Sequence, residues 1–249
     1  MAKKIKRVMA VSCTHGASID LEAAAKVLRV KREHKPHITI HLGDWMDTAA
    51  FMRSASERER GQSIIDDVEA GLSFLSEYKP DVLFCGNHDD RLWQDVHHPN
   101  KIRADCARLV IDRIEAYCAL KKARLIPYTG ALDSTGWLKI GPVVWGHGVM
   151  FGENAARDHA EAFASHAKHV VFGHTHRVLV QSGRTMGETM GHSIGCLCDK
   201  PAMAYAKNRR QTMAWQHAVM IGEITKEEAC LQIVQLGTSN PAQMPEMKL

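Results

Sequence analysis

Four stretches of the chain, VSCTHG (Val11–Gly16), HLGDWMD (His41–Asp47), FCGNHDD (Phe84–Asp90) and VWGHG (Val144–Gly148), each end a short apolar run in a polar turn, and FGHTH (Phe172–His176) makes a fifth. In α/β sheets ligands bind at the carboxyl ends of strands. If these runs are strands of such a sheet, His15, Asp44, Asn87, His88, His147, His174 and His176 converge on one crevice. Imidazoles with a carboxylate suit a first-row divalent ion such as zinc, manganese or iron, and the glycine ahead of most of these residues lets the backbone turn tightly without a Cβ clash. A solitary histidine near a strand end is ordinarily a surface or hydrogen-bonded core residue, and that reading fits His34, His37, His97, His98, His159, His166, His169 and His217. For His15, His147, His174 and His176 it would need four coincidences. His41 alternates with Ile40 and Leu42 and is expected to face out or pack, and His192 and Asp199 are left outside the site.

The elements that position these residues follow from hydrophobic periodicity. Ile5–Ser12 reads as a strand, and Asp20 then caps a helix with Leu21, Ala24 and Leu28 on one face. HITIHLGD is the next strand. Gln62–Tyr78 carries Ile65, Val68, Leu72 and Leu75 at helical spacing, and Pro80 ends it before the strand of DVLFCGNHDD. A helix from about Ile102 to Leu120 follows. Beyond it, WLKIGPVVWGHG, HVVFGHTH, RVLVQSG and ACLQIVQL read as short strands, with one helix from about Asn154 to Ala167. The charged stretch Met52–Gly61 is expected to be a mobile loop or a solvated helix start. No repeat or low-complexity linker marks a boundary, so 1–236 is expected to form a single domain and 237–249 a flexible tail.

With 249 residues, 45% of them hydrophobic and 24% charged, the chain can fill one core. A net charge of +4 suits an anionic substrate but is far from the basic stripe of a dedicated nucleic-acid binder. The apolar run after the basic start is too short for a signal peptide, and no run approaches the ~20 residues that a bilayer requires. A cytoplasmic protein is expected, in the host cytoplasm if the chain is phage-encoded. Seven cysteines without a C-x-x-C pair fit reduced thiols. Cys196 to Cys198, CLC, alternate faces on a strand, which argues against a structural zinc knuckle there.

The ordered series G-D-x-x-D, G-N-H-D, G-H and G-H-x-H, spanning Ser12 to His176, resembles the calcineurin-like metallophosphoesterase superfamily, and most of all its short stand-alone phosphodiesterases of bacteria and phages. The resemblance implies a four-layer α/β fold, a β-sandwich flanked by α-helices. It implies two divalent metal ions, with Asp44 bridging them, His15 and His176 on the first and Asn87, His147 and His174 on the second. His88 would protonate the leaving oxygen and Asp47 would orient and charge-stabilise His88, as in other Asp-His pairs. Two cations ~3.5–4 Å apart can share a hydroxide and clamp the phosphoryl oxygens during in-line attack. Asp89 and Arg91 follow directly, as candidates for supporting bonds and for a phosphate contact that Asn87 would share. Read without the resemblance, Asp47 is equally a helix cap and Arg91 a solvated charge.

Cys13 departs from the pattern, which has aspartate as a ligand there. A thiolate carries the same charge but is softer, preferring zinc or iron to magnesium or manganese. The other reading is a small buried strand residue. The function expected is a dinuclear metal-dependent phosphodiesterase acting on a small phosphodiester. Two alternatives stand beside it: a DNA exonuclease or repair nuclease of the same superfamily, for which only scattered basic runs such as Lys207–Arg210 speak, and a non-catalytic binding module.

Overall fold

Lys6–Val11 forms strand β1, and its last four residues are all buried because both faces of the strand are covered. The computed structural model describes residues 4–53, 56–132, 135–184, 188–199, 203 and 214–237. Along them follow α1 (Leu21–His34), β2 (Ile38–His41), α2 (Glu57–Arg60), α3 (Ile64–Tyr78), β3 (Val82–Phe84), α4 (Arg91–Asp95), α5 (Lys101–Lys121) and β4 (Arg124–Ile126). The strand-rich half comprises β5 (Trp137–Ile140), β6 (Val143–Gly146), α6 (Ala155–Ala162), β7 (His169–Phe172), β8 (Val178–Ser182), β9 (Met190–Ile194), β10 (Ala218–Ile224) and β11 (Ala229–Gln235). The expected tail beyond Gly237 and the basic run Lys207–Arg210 lie outside the described residues.

One sheet has the order β11-β10-β1-β2-β3-β4 and the other β5-β6-β7-β9-β8. β1 to β4 run parallel, with Val11 opposite His41 and His41 opposite Leu83, so their carboxyl ends finish together. β6 and β7 are likewise parallel, Gly146 opposite Phe172. Between the sheets, Val8, Ala10, Ile40, Leu42 and Phe84 pack with Val143, Trp145, Val171 and Ile194. The outer face of the first sheet is covered by α1 and α3 through Val27, Val30, Phe74 and Tyr78, and α5 joins α3 in a further cluster around Leu75, Leu83 and Ile111. Ala155, Ala156 and Phe163 cover the second sheet. The chain is thus a β-sandwich flanked by helices, as the motif order implied.

The helices begin where side chains cap them. Asp20, Ser63 and Asn100 each accept a backbone N–H of the first turn, and the Tyr78 hydroxyl ties α3 to the sheet by donating to the carbonyls of Met9 and Ile40. The described part of Met52–Gly61 contains a helix start: Ser56 and Glu59 form a reciprocal capping box on α2. The last helix stops at Ala162 rather than near Ala167, because Phe163 turns into the cluster with Trp137. Among the described residues, no helix is long and apolar enough to cross a membrane.

His159 is a satisfied core histidine, as its sequence context suggested. Its Nδ1–H donates to the Ala155 carbonyl at 2.7 Å, its Nε2 accepts the Val149 N–H at 3.1 Å, and its ring stacks on Phe172. Burial pushes its pKa down to about 4. The unfolded chain therefore takes up more protons than the native one between about pH 6.5 and pH 4, and stability falls as the pH falls through that window. We expect the urea midpoint to drop between pH 7 and pH 5, on the order of 1–2 kcal/mol coming from this group, and part of the drop to vanish in His159→Gln. An equal pH dependence in the two proteins would contradict this assignment.

Candidate metal centre

The turns after β1, β2, β3, β6 and β7 meet at one edge of the sandwich. The turn after β1 zips onto the turn after β2: the N–H groups of Cys13, His15 and Gly16 donate to the carbonyls of Gly43, Asp44 and Trp45, each at 3.0 Å. The Gly173 N–H joins the turn after β7 to the His147 carbonyl at 2.9 Å. All seven residues expected as ligands are brought together here, in two groups that share Asp44. Donor atoms of Cys13, His15, Asp44 and His176 lie within 4.8 Å of one another, as do those of Asp44, His147 and His174. Asn87 joins the second group, its Oδ1 lying 3.1 Å from His147 Nε2 and 2.9 Å from His174 Nδ1.

The tautomers make this donor set fit a cation. His147 spends its Nδ1–H on the Leu42 carbonyl at 2.7 Å, so neutral His147 presents the lone pair of Nε2. That lone pair faces Asp44 Oδ2 at 3.2 Å and Asn87 Oδ1 at 3.1 Å. Three acceptors then converge, and they repel unless a proton or a cation lies among them. His15 repeats the pattern. Its Nδ1 is engaged with Asp47 Oδ1 at 3.3 Å, and its Nε2 meets His176 Nε2 at 3.1 Å beside Asp44. Histidine ligands are ordinarily fixed in this way through the second ring nitrogen.

Electrostatics agree with that reading. Burial alone would raise the Asp44 carboxyl, but the imidazoles of His147, His88 and His15 hold it well below the usual carboxylate range. Burial, with the neighbouring His147 imidazole, takes His174 down to about 3, and burial with His15 takes His176 well below the ordinary histidine value. Both imidazoles are therefore neutral at physiological pH. Burial and the Asp44 charge push the Cys13 thiol up, so ligation by Cys13 would release a proton.

His88 sits beside these groups. Its Nδ1 lies 2.7 Å from Asp47 Oδ1, the same oxygen that faces His15. Burial would raise the Asp47 carboxyl, but hydrogen bonds with His15 and His88 bring it below the usual range, so it is a carboxylate able to stabilise an imidazolium. Arg91 reaches the same loop, donating from Nη1 to the Asp47 carbonyl at 2.8 Å. Its guanidinium is thereby anchored at the site.

Two buried carboxylates hold the turns. Asp89 accepts the N–H groups of Asp44, Met46 and Gly86 at 2.7–3.0 Å. Asp67, at the start of α3, accepts those of Asp47, Thr48 and Ala17. Asp89 adjoins a motif and is legible for that reason; Asp67 looks in the sequence like any acid in the first turn of a helix. His41 packs fully buried against Thr14, at 3.2 Å from its hydroxyl, and His192 pairs with His169 away from the centre. The expectation for CLC is corrected. Positions two apart on an extended chain share a face, so Cys196 and Cys198 both point toward His176 while Leu197 turns into the opposite cluster.

Backbone conformation marks the same residues. Cys13, His15, Asp44, His174 and His176 all have φ between +53° and +61°, a left-handed region costing non-glycine residues roughly 1–2 kcal/mol each. Such outliers cluster at functional sites.

A fold of this topology with this centre defines a class. The family model for calcineurin-like phosphoesterases matches residues 6–178, and the chain belongs to that family. No curated protein matches it. Among solved structures it is similar to a Thermus thermophilus protein at 11% identity, covering 94% of this chain and 100% of that one with a TM-score of 0.46. It is also similar to zinc-complexed Vps29 from Entamoeba histolytica, at 11% identity, 94% of both chains and a TM-score of 0.46. A third is the phosphoesterase Yfce from E. coli, at 13% identity, 93% of this chain, 100% of that chain and a TM-score of 0.38.

Gly86 tests how tightly the centre is built. A Cβ there would stand 2.1 Å from Asp44 Oδ1 and 2.5 Å from the Asp44 nitrogen. Gly86→Ala should displace Asp44, costing about 1–3 kcal/mol of stability and weakening zinc binding about 10–100-fold, the scale seen when groups supporting a ligand are lost. Thermal melting and calorimetric titration with zinc check both. Unaltered zinc affinity would mean that Gly86 does not set the position of Asp44.

Proposed function

We propose that this protein is a dinuclear metal-dependent phosphodiesterase acting on a small phosphodiester, with residues 1–236 working as one phosphoesterase domain in the cytoplasm. One observation carries the reading: the Asp44 carboxylate and the Asn87 amide oxygen converge on His147 Nε2 at 3.2 and 3.1 Å while His147 Nδ1 is spent on the Leu42 carbonyl, a set of ligand atoms that one shared cation would satisfy. Asp44 would bridge; Cys13, His15 and His176 would hold the first ion; Asn87, His147 and His174 would hold the second. Zinc, manganese and iron suit these donors, and Cys13 tilts the first position toward zinc or iron. When bound, the two ions would polarise the phosphoryl oxygens and lower the pKa of water.

The chain's own residues supply the rest. Asp47 fixes the Nδ1 side of His88 and stabilises its protonated form, so that Nε2 is the atom that passes a proton to the departing alkoxide. Asp67 and Asp89 keep the turns that carry Asp47 and Asp44 from moving as charge develops. Arg91, anchored on the Asp47 carbonyl, would contact a phosphate oxygen together with Asn87. The mild net charge favours a small diester over extended DNA, whose binding needs several phosphates neutralised.

Exhaustive chelation should abolish hydrolysis of phosphodiesters, and Asp44→Asn should remove the cooperation of the two ions. Turnover that survives chelation would reject the reading, and efficient, steeply salt-dependent cleavage of DNA would turn it into a nuclease. His88→Ala should slow diesters with alkyl leaving groups by ~10²–10⁴ and aryl esters with acidic leaving groups far less. Equal losses on both substrates would assign His88 to positioning.

A further inference from the structure

Behind the first metal position lies a second set of soft donors. The Cys196 and Cys198 sulfurs and a ring nitrogen of His176 lie within 4.8 Å of one another, and all three side chains are buried. Cys13, Met203 and Trp215 pack around the two thiols, and Trp215 sits edge-on against the His176 ring at 4.1 Å. Whereas Nε2 of His176 faces His15, its Nδ1 faces Cys198 Sγ at 3.8 Å, and among the described residues no oxygen accepts from it. A tetrahedral ion with arms of ~2.3 Å to sulfur and ~2.0–2.1 Å to nitrogen separates those two donors by about 3.6 Å. Backbone geometry holds the set in place: Cys196 bridges to His217, Cys198 to Ile19, and the Leu197 N–H donates to the Cys13 carbonyl at 3.0 Å.

We propose that Cys196, Cys198 and Nδ1 of His176 bind a thiophilic divalent cation of their own, closed to solvent and structural in character, with His176 shared between this ion and the first metal of the centre. Loading releases two protons from the thiols, and a third from Nδ1 where Nε2 also holds the first metal and His176 bridges as an imidazolate; no oxidation state changes. The shared His176 is the only point at which the proposal rests on the dinuclear reading. The ion would pin the segment carrying Cys196 and Cys198 to the turn after β7, and so fix the orientation of a catalytic-site ligand from behind.

Zinc-loaded protein counted by native mass spectrometry tests this. We expect three zinc ions per wild-type chain and two in Cys196→Ser/Cys198→Ser. Cobalt supplies a readout that does not depend on the double variant's folding. In otherwise wild-type Cys13→Ser, sulfur-to-cobalt charge-transfer absorption should persist, because its source is Cys196 and Cys198. Two zinc ions in both proteins, or no charge-transfer band in Cys13→Ser, would overturn the proposal and leave the thiols as packing. Asp44→Asn separates the two ideas: loss of zinc from three ions to one supports both, while a wild-type chain that holds a single zinc and keeps it in Asp44→Asn sinks the dinuclear reading and leaves the thiol site standing.

Discussion

Burying the carboxylate of Asp44 is the constraint around which the rest of the molecule is arranged. An ionised carboxylate taken out of water costs several kcal/mol unless opposite charge and hydrogen bonds replace the lost hydration. Here the replacements come from segments far apart in sequence: the His88 N–H donates to Oδ1, His147 and His15 face Oδ2, and Asp89 holds the Asp44 backbone nitrogen. No single element can assemble that set. It requires parallel strands in two sheets whose carboxyl ends meet, which is why the sandwich and the centre are inseparable.

The second layer of the arrangement is a chain of oxygen acceptors that links the candidate metal ligands to His88. Asp47 Oδ1 faces both His15 and His88, so the two imidazoles compete for one carboxylate oxygen. Asp67 in turn fixes the backbone nitrogens of Asp47 and Thr48. The sequence of contacts runs from His15 to the start of α3 without leaving the protein interior.

Much of this was legible before any coordinates because strand ends, glycines and histidines recur in order. A residue at the end of an apolar run has one place to go in an α/β sheet, and that alone gathers His15, Asp44, Asn87, His88, His147, His174 and His176. What escaped did so for physical reasons. Asp67 acts through a helix start that crosses the sheet edge, a tertiary relation with no local period. Cys196 and Cys198 were misjudged because alternation along an extended chain separates neighbours, not residues two apart. The end of α6 was overestimated because the apolar pattern continues through Phe163, which leaves the helix to fill the core.

The left-handed backbone at Cys13, His15, Asp44, His174 and His176 bears on how this protein can change. Glycine would relax each of these positions, and asparagine would do so in part. Selection for thermal tolerance alone therefore pushes the chain toward losing these side chains. Substitutions in that direction would keep the sandwich while emptying its edge of imidazole, thiol and carboxylate groups, so a raised melting temperature is a poor guide to whether that edge is intact.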